Sequence, residues 1–322
     1  MTITSPRSRL FAAAALVAAL LLCTFGAAVL VGCGSDGDSA ADPSPSSSAG
    51  PLTVTDDAGE EVTLEQPAAR VVSLSPANTE IAFAIGAGDR LVGGTSYDDY
   101  PEEAKALPKI GDFANPSVEK IVALQPDLVL AAGGIQAGLR SKLEKLGMQV
   151  YVADPTTYDG VIVTITELGQ LMGVTDEAAV VTEAMETAAA DVTAKVGSLD
   201  KSVTFIEIYS KPLMTAGSGS YIDDLVILAG GSNLGASAGP GFPTYSSEVL
   251  IVEDPAVYVA VSGAQSSPGD IAKRPGHGQM SAVEDGRVYV IDDDLITRPG
   301  PRLALGLQEL AAMIHPEAYQ GQ

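Results

Sequence analysis

Residue types that do chemistry are sparse in this chain, and most of their spacings lead nowhere. Gly235-Ala-Ser237-Ala-Gly239 has the Gly-x-Ser-x-Gly spacing of a nucleophile elbow, which needs a strand before it and a helix after it. Here it lies in a Gly/Pro-rich stretch running into Pro240, so acyl transfer by Ser237 is the weaker reading. His277 and His315 are the two histidines of the chain. They follow no metal-ligand spacing, and no zinc-type ligand cluster is visible. Gly217-Ser-Gly219-Ser lacks the third glycine of a dinucleotide fingerprint, and no P-loop is present. The chain is expected to do no covalent chemistry and to hold no catalytic metal or cofactor.

A different pattern does repeat. Glu119 stands seven residues before Pro126, and Glu248 stands seven before Pro255. Each proline is followed by a Val-rich run of the composition found in strands buried on both faces. Proline ends a helix because it lacks an N–H and pushes its predecessor out of the helical region. Each unit therefore reads as short helix, break, buried strand, with its Glu in the first helical turn. A lone Glu there merely suits the helix dipole, worth roughly 0.3–1 kcal/mol. Two at matched positions in separate halves suggest two similar lobes presenting a pair of charges.

The elements that must carry these units alternate along the chain. Residues 52–54 and 61–64 flank Asp56-Asp-Ala-Gly59 as a hairpin. Strands follow at 70–74, from Leu91, at 149–153, 202–208, 257–261 and 287–291, with helices between them. Strands alternating with helices imply parallel pairing with right-handed crossovers. The fold class is α/β: two Rossmann-like lobes, each a mainly parallel sheet flanked by helices, joined by one long rigid helix. That helix is predicted over 176–196, capped by Thr175, with Val181, Ala184, Met185, Ala188, Val192 and Val196 on one stripe. Free of Gly and Pro, it reads as a strut about 30 Å long. The lobes are placed at 52–172 and 199–322, with 173–198 linking them. Gly235–Pro243 and Gly263–His277 read as long loops without a core of their own.

Composition limits partners and location. The net charge is −23 over 322 residues, which repels nucleic acid and offers little to anionic lipid. Arg7 and Arg9 precede an uncharged run from Leu10 to Val31, the layout of a secretory signal. An uncleaved membrane span is the competing reading. Leu30-Val-Gly-Cys33 resembles the lipobox of bacterial lipoproteins, so residues 1–32 are read as a signal peptide and Cys33 as the lipidated residue. Residues 33–51 carry no aliphatic side chain larger than Ala and read as a disordered tether. The body is expected outside the cytoplasmic membrane, anchored to it, and monomeric.

Longer strings carry a family resemblance. Ser75-Pro-Ala-Asn-Thr-Glu80, Ser96-Tyr-Asp-Asp-Tyr-Pro101, the Glu119-to-Val129 stretch and Arg298-Pro-Gly-Pro-Arg302 resemble the substrate-binding proteins of ABC importers for cobalamin, haem and ferric siderophores. The likeness covers roughly residues 52–318 and is closest to cobalamin-binding members. It implies a metal-containing ligand held in a cleft between two lobes, with modest closure. It also implies that Glu119 and Glu248 dock on arginines of the membrane permease. Tyr97 and Phe113 match aromatic positions of the first lobe that face the corrin, and Phe242 one of the second. Phe113 and Phe242 stand where tryptophans are usual, Ala132 replaces a third aromatic, and the chain has no Trp. That widens the expected ligand from cobalamin to a related corrinoid, a haem or a siderophore. Tyr221 and Tyr245 are placed near the cleft, with packing an equal alternative. Arg298 is a candidate for a ligand carboxylate or phosphate, and Asp293 and Asp294 for ligand amides. His277 is open to a haem iron, though exposure on its loop is the plainer expectation.

Overall fold

Val-rich runs of four or five residues are too short for stable helices, and side by side in parallel they bury both faces. The computed structural model describes residues 50–320, and in it such runs build two sheets. Strands β1 (Leu52–Thr55) and β2 (Glu61–Leu64) form the expected antiparallel hairpin, Leu52 opposite Leu64. Asp56 closes its turn by accepting from the backbone N–H of Ala58 and Glu60. There follow β3 (Val71–Ser73), α1 (Pro76–Ala84), β4 (Leu91–Gly93), α2 (Val118–Ala123), β5 (Leu128–Ala132), α3 (Ala137–Glu144) and β6 (Gln149–Ala153). The sheet order is β4-β3-β5-β6, every pair parallel.

Helices α4 (Tyr158–Leu171) and α5 (Thr175–Val196) come next and pack together. The second lobe holds β7 (Ser202–Ser210), β8 (Leu213–Thr215), α6 (Tyr221–Leu228), β9 (Gly231–Asn233), α7 (Ser247–Glu253), β10 (Val257–Val261), α8 (Pro268–Ala272), α9 (Ser281–Glu284), β11 (Val288–Ile291), α10 (Asp293–Ile296) and α11 (Leu303–Ile314). Its sheet order is β11-β10-β7-β8. Nine-residue β7 shares one edge between β9, parallel along Ser202–Thr204, and β8, antiparallel from Glu207 to Ser210. The chain is α/β with two sheet-centred lobes and a long connecting helix.

Helix α5 buries Ala178, Thr182, Met185, Ala188, Val192 and Val196. Ala184 of the predicted stripe is exposed, because it sits one residue, about 100°, off the buried row. Thr175 is not the cap: it lies inside the helix, and Val174 holds the cap position without a side-chain bond. One apolar cluster runs from Val54 through α4, α5 and α11 to Ile314, crossing both lobes. Tyr158 Oη donates to the Met185 carbonyl (2.8 Å), and the Tyr158 N–H donates to Asp224 (2.8 Å), pinning α4 to α5 and α6. A hinge packed this closely favours small rotations of the lobes over wide opening.

The 263–277 segment corrects its expectation of a coreless loop. It contains α8, closed by a Ser267/Asp270 capping box, and buries Ile271 and His277. The expected signal 1–32, Cys33 and the tether 33–51 lie, apart from residues 50 and 51, outside the described residues. Among the described residues, no helix is long and apolar enough to cross a membrane.

Candidate functional site

Parallel strands leave a crevice beyond their carboxyl ends, where the connecting loops diverge. Here β3, β5 and β6 end at Ser73, Ala132 and Ala153, and the turns after them form the first lobe's wall of a cleft of about 370 Å³. The second lobe supplies Tyr221, Phe242 and the 297–299 turn. Most of the exposed lining is apolar, as in small-molecule binding clefts generally.

Hydrogen bonds fix this wall. Ser75 caps α1 by accepting from the Asn78 N–H (3.2 Å), and Asn78 Nδ2 donates to the Ala131 carbonyl (3.2 Å). Gln136, 2% exposed, donates through Nε2 to the Leu74 and Phe113 carbonyls (2.8 Å each). Its Oε1 accepts from the Ala132 N–H (2.8 Å). One amide thus ties three segments and holds Phe113 in place. No sequence pattern singled out Gln136, since its partners are all main-chain atoms.

Phe242 is presented from a segment laid along β8 and its extension. Gly217 N–H donates to the Gly241 carbonyl (2.7 Å) and Ser218 N–H to that of Gly239 (2.8 Å). A Cβ on Gly217 would lie 2.0 Å from the Gly239 carbonyl oxygen, so the close approach requires glycine. Tyr221 meets Phe242 edge to face at 6.3 Å and donates its hydroxyl to the Thr297 carbonyl (2.7 Å). Burial, then the charge of Asp154, pushes its phenol pKa up. Phe242 is 42% exposed and lines the cleft, leaving part of its ring open to a ligand.

An ionic clasp joins the lobes beside this cleft. Glu80, on α1, accepts from Arg298 Nη1 (2.9 Å) and, bidentate, from Arg302 Nε (2.8 Å) and Nη2 (2.7 Å). Arg298 also reaches Asp99 (2.7 Å) and Asp294 (2.7 Å). The Arg302 guanidinium lies 4.2 Å over the Tyr100 ring. The hydrogen bond from Arg298 is the main cause holding the Asp99 carboxyl below its ordinary value. Arg298 therefore lines the cleft with its charge already met by three carboxylates, and Asp294 is held in the same network.

Other predicted residues fall elsewhere. Tyr97 is 58% exposed and outside the cleft lining, although its neighbours Asp98 and Asp99 are anchored. Tyr245 is a core residue, not a cleft residue: it is buried against Phe205 at 5.1 Å. Asp293 is also corrected, since it accepts from the Ser262 hydroxyl and lies outside the lining. His277 is buried rather than exposed, packed near Tyr258, and burial lowers its pKa, which keeps the ring neutral. It also lies outside the cleft lining. Ser237 Oγ donates to the Leu234 carbonyl (2.9 Å) within a short 3-10 turn, with no helix behind it.

The paired glutamates are exposed and alike in detail. Ser117 and Ser246 cap α2 and α7, each hydroxyl facing the Glu two residues on, at 3.4 Å for Glu119 and 2.7 Å for Glu248. Gln125 and Asp254, just before the two prolines, both take left-handed backbone, φ 48° and 47°.

Residues 71–295 match the family described as periplasmic binding protein. The chain is 32% identical over 312 residues to YvrC of Bacillus subtilis (strain 168), an uncharacterized ABC transporter substrate-binding lipoprotein, covering 94% of this chain and 97% of the relative. It is 31% identical over 252 residues to the vitamin B12-binding protein of Vibrio campbellii, covering 76% and 88%. Among solved structures it is similar to the periplasmic vitamin B12 binding protein BtuF of Vibrio cholerae, with TM-score 0.72 and 28% identity over 79% of this chain and 99% of that one. The periplasmic heme-binding protein RhuT from Roseiflexus sp. RS-1, in apo form, gives TM-score 0.69 and 27% identity over 77% and 98%.

Proposed function

The chain belongs to the periplasmic binding protein family, whose members are substrate-binding proteins of ABC importers rather than enzymes, and on that premise we propose that it captures cobalamin or a related corrinoid. The observation that carries this reading is the apolar cleft between the lobes, walled by Phe113, Tyr221 and Phe242. Flat aromatic faces with few fixed polar groups suit a macrocycle bearing neutral side chains. A haem is the second reading, favoured by the likeness to a heme-binding structure and by the absence of Trp. Ferric siderophores remain the third member of that ligand class. Anchoring through lipid on Cys33 is part of the proposal, supported by the Leu30–Cys33 string and by a relative named as a lipoprotein.

Delivery is assigned to Glu119 and Glu248, which meet arginines on the ABC permease. Their matched caps, exposure and equal spacing before Pro126 and Pro255 support that role. Separated exposed charges of this kind fix register and speed encounter more than they add affinity. Replacing both with Ala is expected to leave the affinity for corrinoid in solution unchanged and to slow corrinoid uptake by cells roughly tenfold or more. Radiolabelled or absorbance-monitored uptake beside a binding titration reads both. Unimpaired uptake, or a loss of affinity that accounts for the uptake defect, overturns the assignment.

A further inference from the structure

Charge in the cleft is unevenly paired. Arg298 and Arg302 face three carboxylates, Glu80, Asp99 and Asp294, so no cation of the clasp is left over for a ligand. Asp154, following β6, lines the same cleft from the first lobe. Its backbone N–H donates to Asp57 (2.7 Å), but among the described residues its carboxylate has no hydrogen-bond or ion-pair partner. Space for that carboxylate comes from Gly133, where a Cβ would stand 1.9 Å from Asp154 Oδ2. Asp154 is exposed on the cleft wall; partial desolvation there raises its carboxyl pKa, and its charge in turn helps raise that of Tyr221 on the opposite lobe. Counting the clasp beside it, Arg298 and Arg302 stand against Glu80, Asp99, Asp294 and Asp154, so the cleft region carries an excess of negative charge, on a protein whose overall charge of −23 points the same way.

We propose that Asp154 sets the charge preference of the cleft, accepting a hydrogen bond from an amide or amine at the ligand's edge and rejecting ligands that bring carboxylates there. This rests on capture of a macrocycle in this cleft. Among macrocycles it selects the amide-decorated corrinoids over haem, whose two propionates would face an unpaired carboxylate with no free arginine to receive them. Like-charge juxtaposition in a partly desolvated site weakens binding by about a hundredfold or more. A hydrogen bond to a charged acceptor is worth about tenfold in affinity.

The test compares two ligands that share the corrin ring, cobinamide with side-chain amides and cobyrinic acid with carboxylates in their place, plus haemin. Each is titrated into the full chain in detergent micelles, wild type and Asp154→Asn. Wild type is expected to bind cobinamide about a hundredfold more tightly than cobyrinic acid. In Asp154→Asn that ratio is expected to shrink about tenfold, with haemin gaining affinity. Asn keeps the side-chain shape, and an unchanged unfolding midpoint excludes a folding defect as the cause. A ratio near unity in wild type, or one that Asp154→Asn leaves alone, overturns this inference while leaving corrinoid capture standing. Wild type that binds neither corrinoid, or prefers haemin to cobinamide, overturns both.

Discussion

Glu80→Ala lowers the unfolding free energy by about 3–5 kcal/mol, the usual cost of removing one member of a buried ion pair. Glu80 is 3% exposed and satisfies two guanidiniums, each on a side chain 16% exposed. Truncation leaves Arg302 without its bidentate acceptor and costs Arg298 one of three carboxylates. Asp294, 3.5 Å from Arg302, replaces little of that loss. Because the pair connects α1 of the first lobe to the segment before α11 of the second, the loss also loosens the lobe interface beside the cleft. Urea unfolding measures it as a lower midpoint, and a change below about 1 kcal/mol, typical of a surface pair, contradicts the account. Arg302→Lys keeps the charge but not the fork and is expected to fall between wild type and Glu80→Ala.

Glu207→Gln carries a loss of similar size, about 3–5 kcal/mol, in the second lobe. The Glu207 side chain is fully buried in β7 and accepts from Arg274 (2.5 and 3.0 Å), from Ser266 (2.5 Å) and from the Tyr258 hydroxyl. These bonds lock the 263–277 segment onto the sheet. Burial by itself would raise the Glu207 carboxyl pKa; the bonds from Arg274, then Ser266 and Tyr258, outweigh it and hold the value below normal. A carboxyl depressed in the folded state contributes stability that is fully present above its unfolded pKa, roughly 4.3. The contribution is lost as pH falls through the lower folded value. The stability difference between wild type and Glu207→Gln should therefore stay constant from neutral pH down to about 5 and narrow below about 4. Unfolding free energies measured across that range check the sign. A difference that widens on acidification contradicts a depressed pKa.

The parts legible in the sequence are those governed by local rules. The Glu-to-Pro spacing located α2, α7 and the buried strands after them, and the repeat holds down to the left-handed residue before each proline. The hairpin around Asp56–Gly59 follows from its turn residues. The long helix was visible from its length and lack of Gly or Pro, but not its cap or the place of Ala184, where neighbouring helices decide. Site residues were less legible because their partners are distant. Glu80 stood inside a recognised string, yet its arginines lie more than two hundred residues on. Tyr245 and Phe242 sit three residues apart in one Gly/Pro-rich stretch, and only packing sends one into the core and the other to the cleft. Asp154 follows a strand as many surface acids do, and nothing local marks its place on the cleft wall. His277 looked exposed because its loop is rich in glycine, whereas the Glu207 network folds that loop inward.

The proposed site holds a corrinoid between Phe113, Tyr221 and Phe242. It is tested most directly by incubating the full chain, in detergent micelles, with cobinamide or cobalamin, desalting, and recording the absorption spectrum beside that of Phe113→Ala/Phe242→Ala. Wild type is expected to retain a stoichiometric amount of corrinoid, and the double variant to bind roughly a hundredfold more weakly with its unfolding midpoint little changed. Retention by the double variant equal to wild type would contradict the placement of the ligand. Retention of haemin or a ferric siderophore, with no corrinoid band in wild type, would contradict the ligand class.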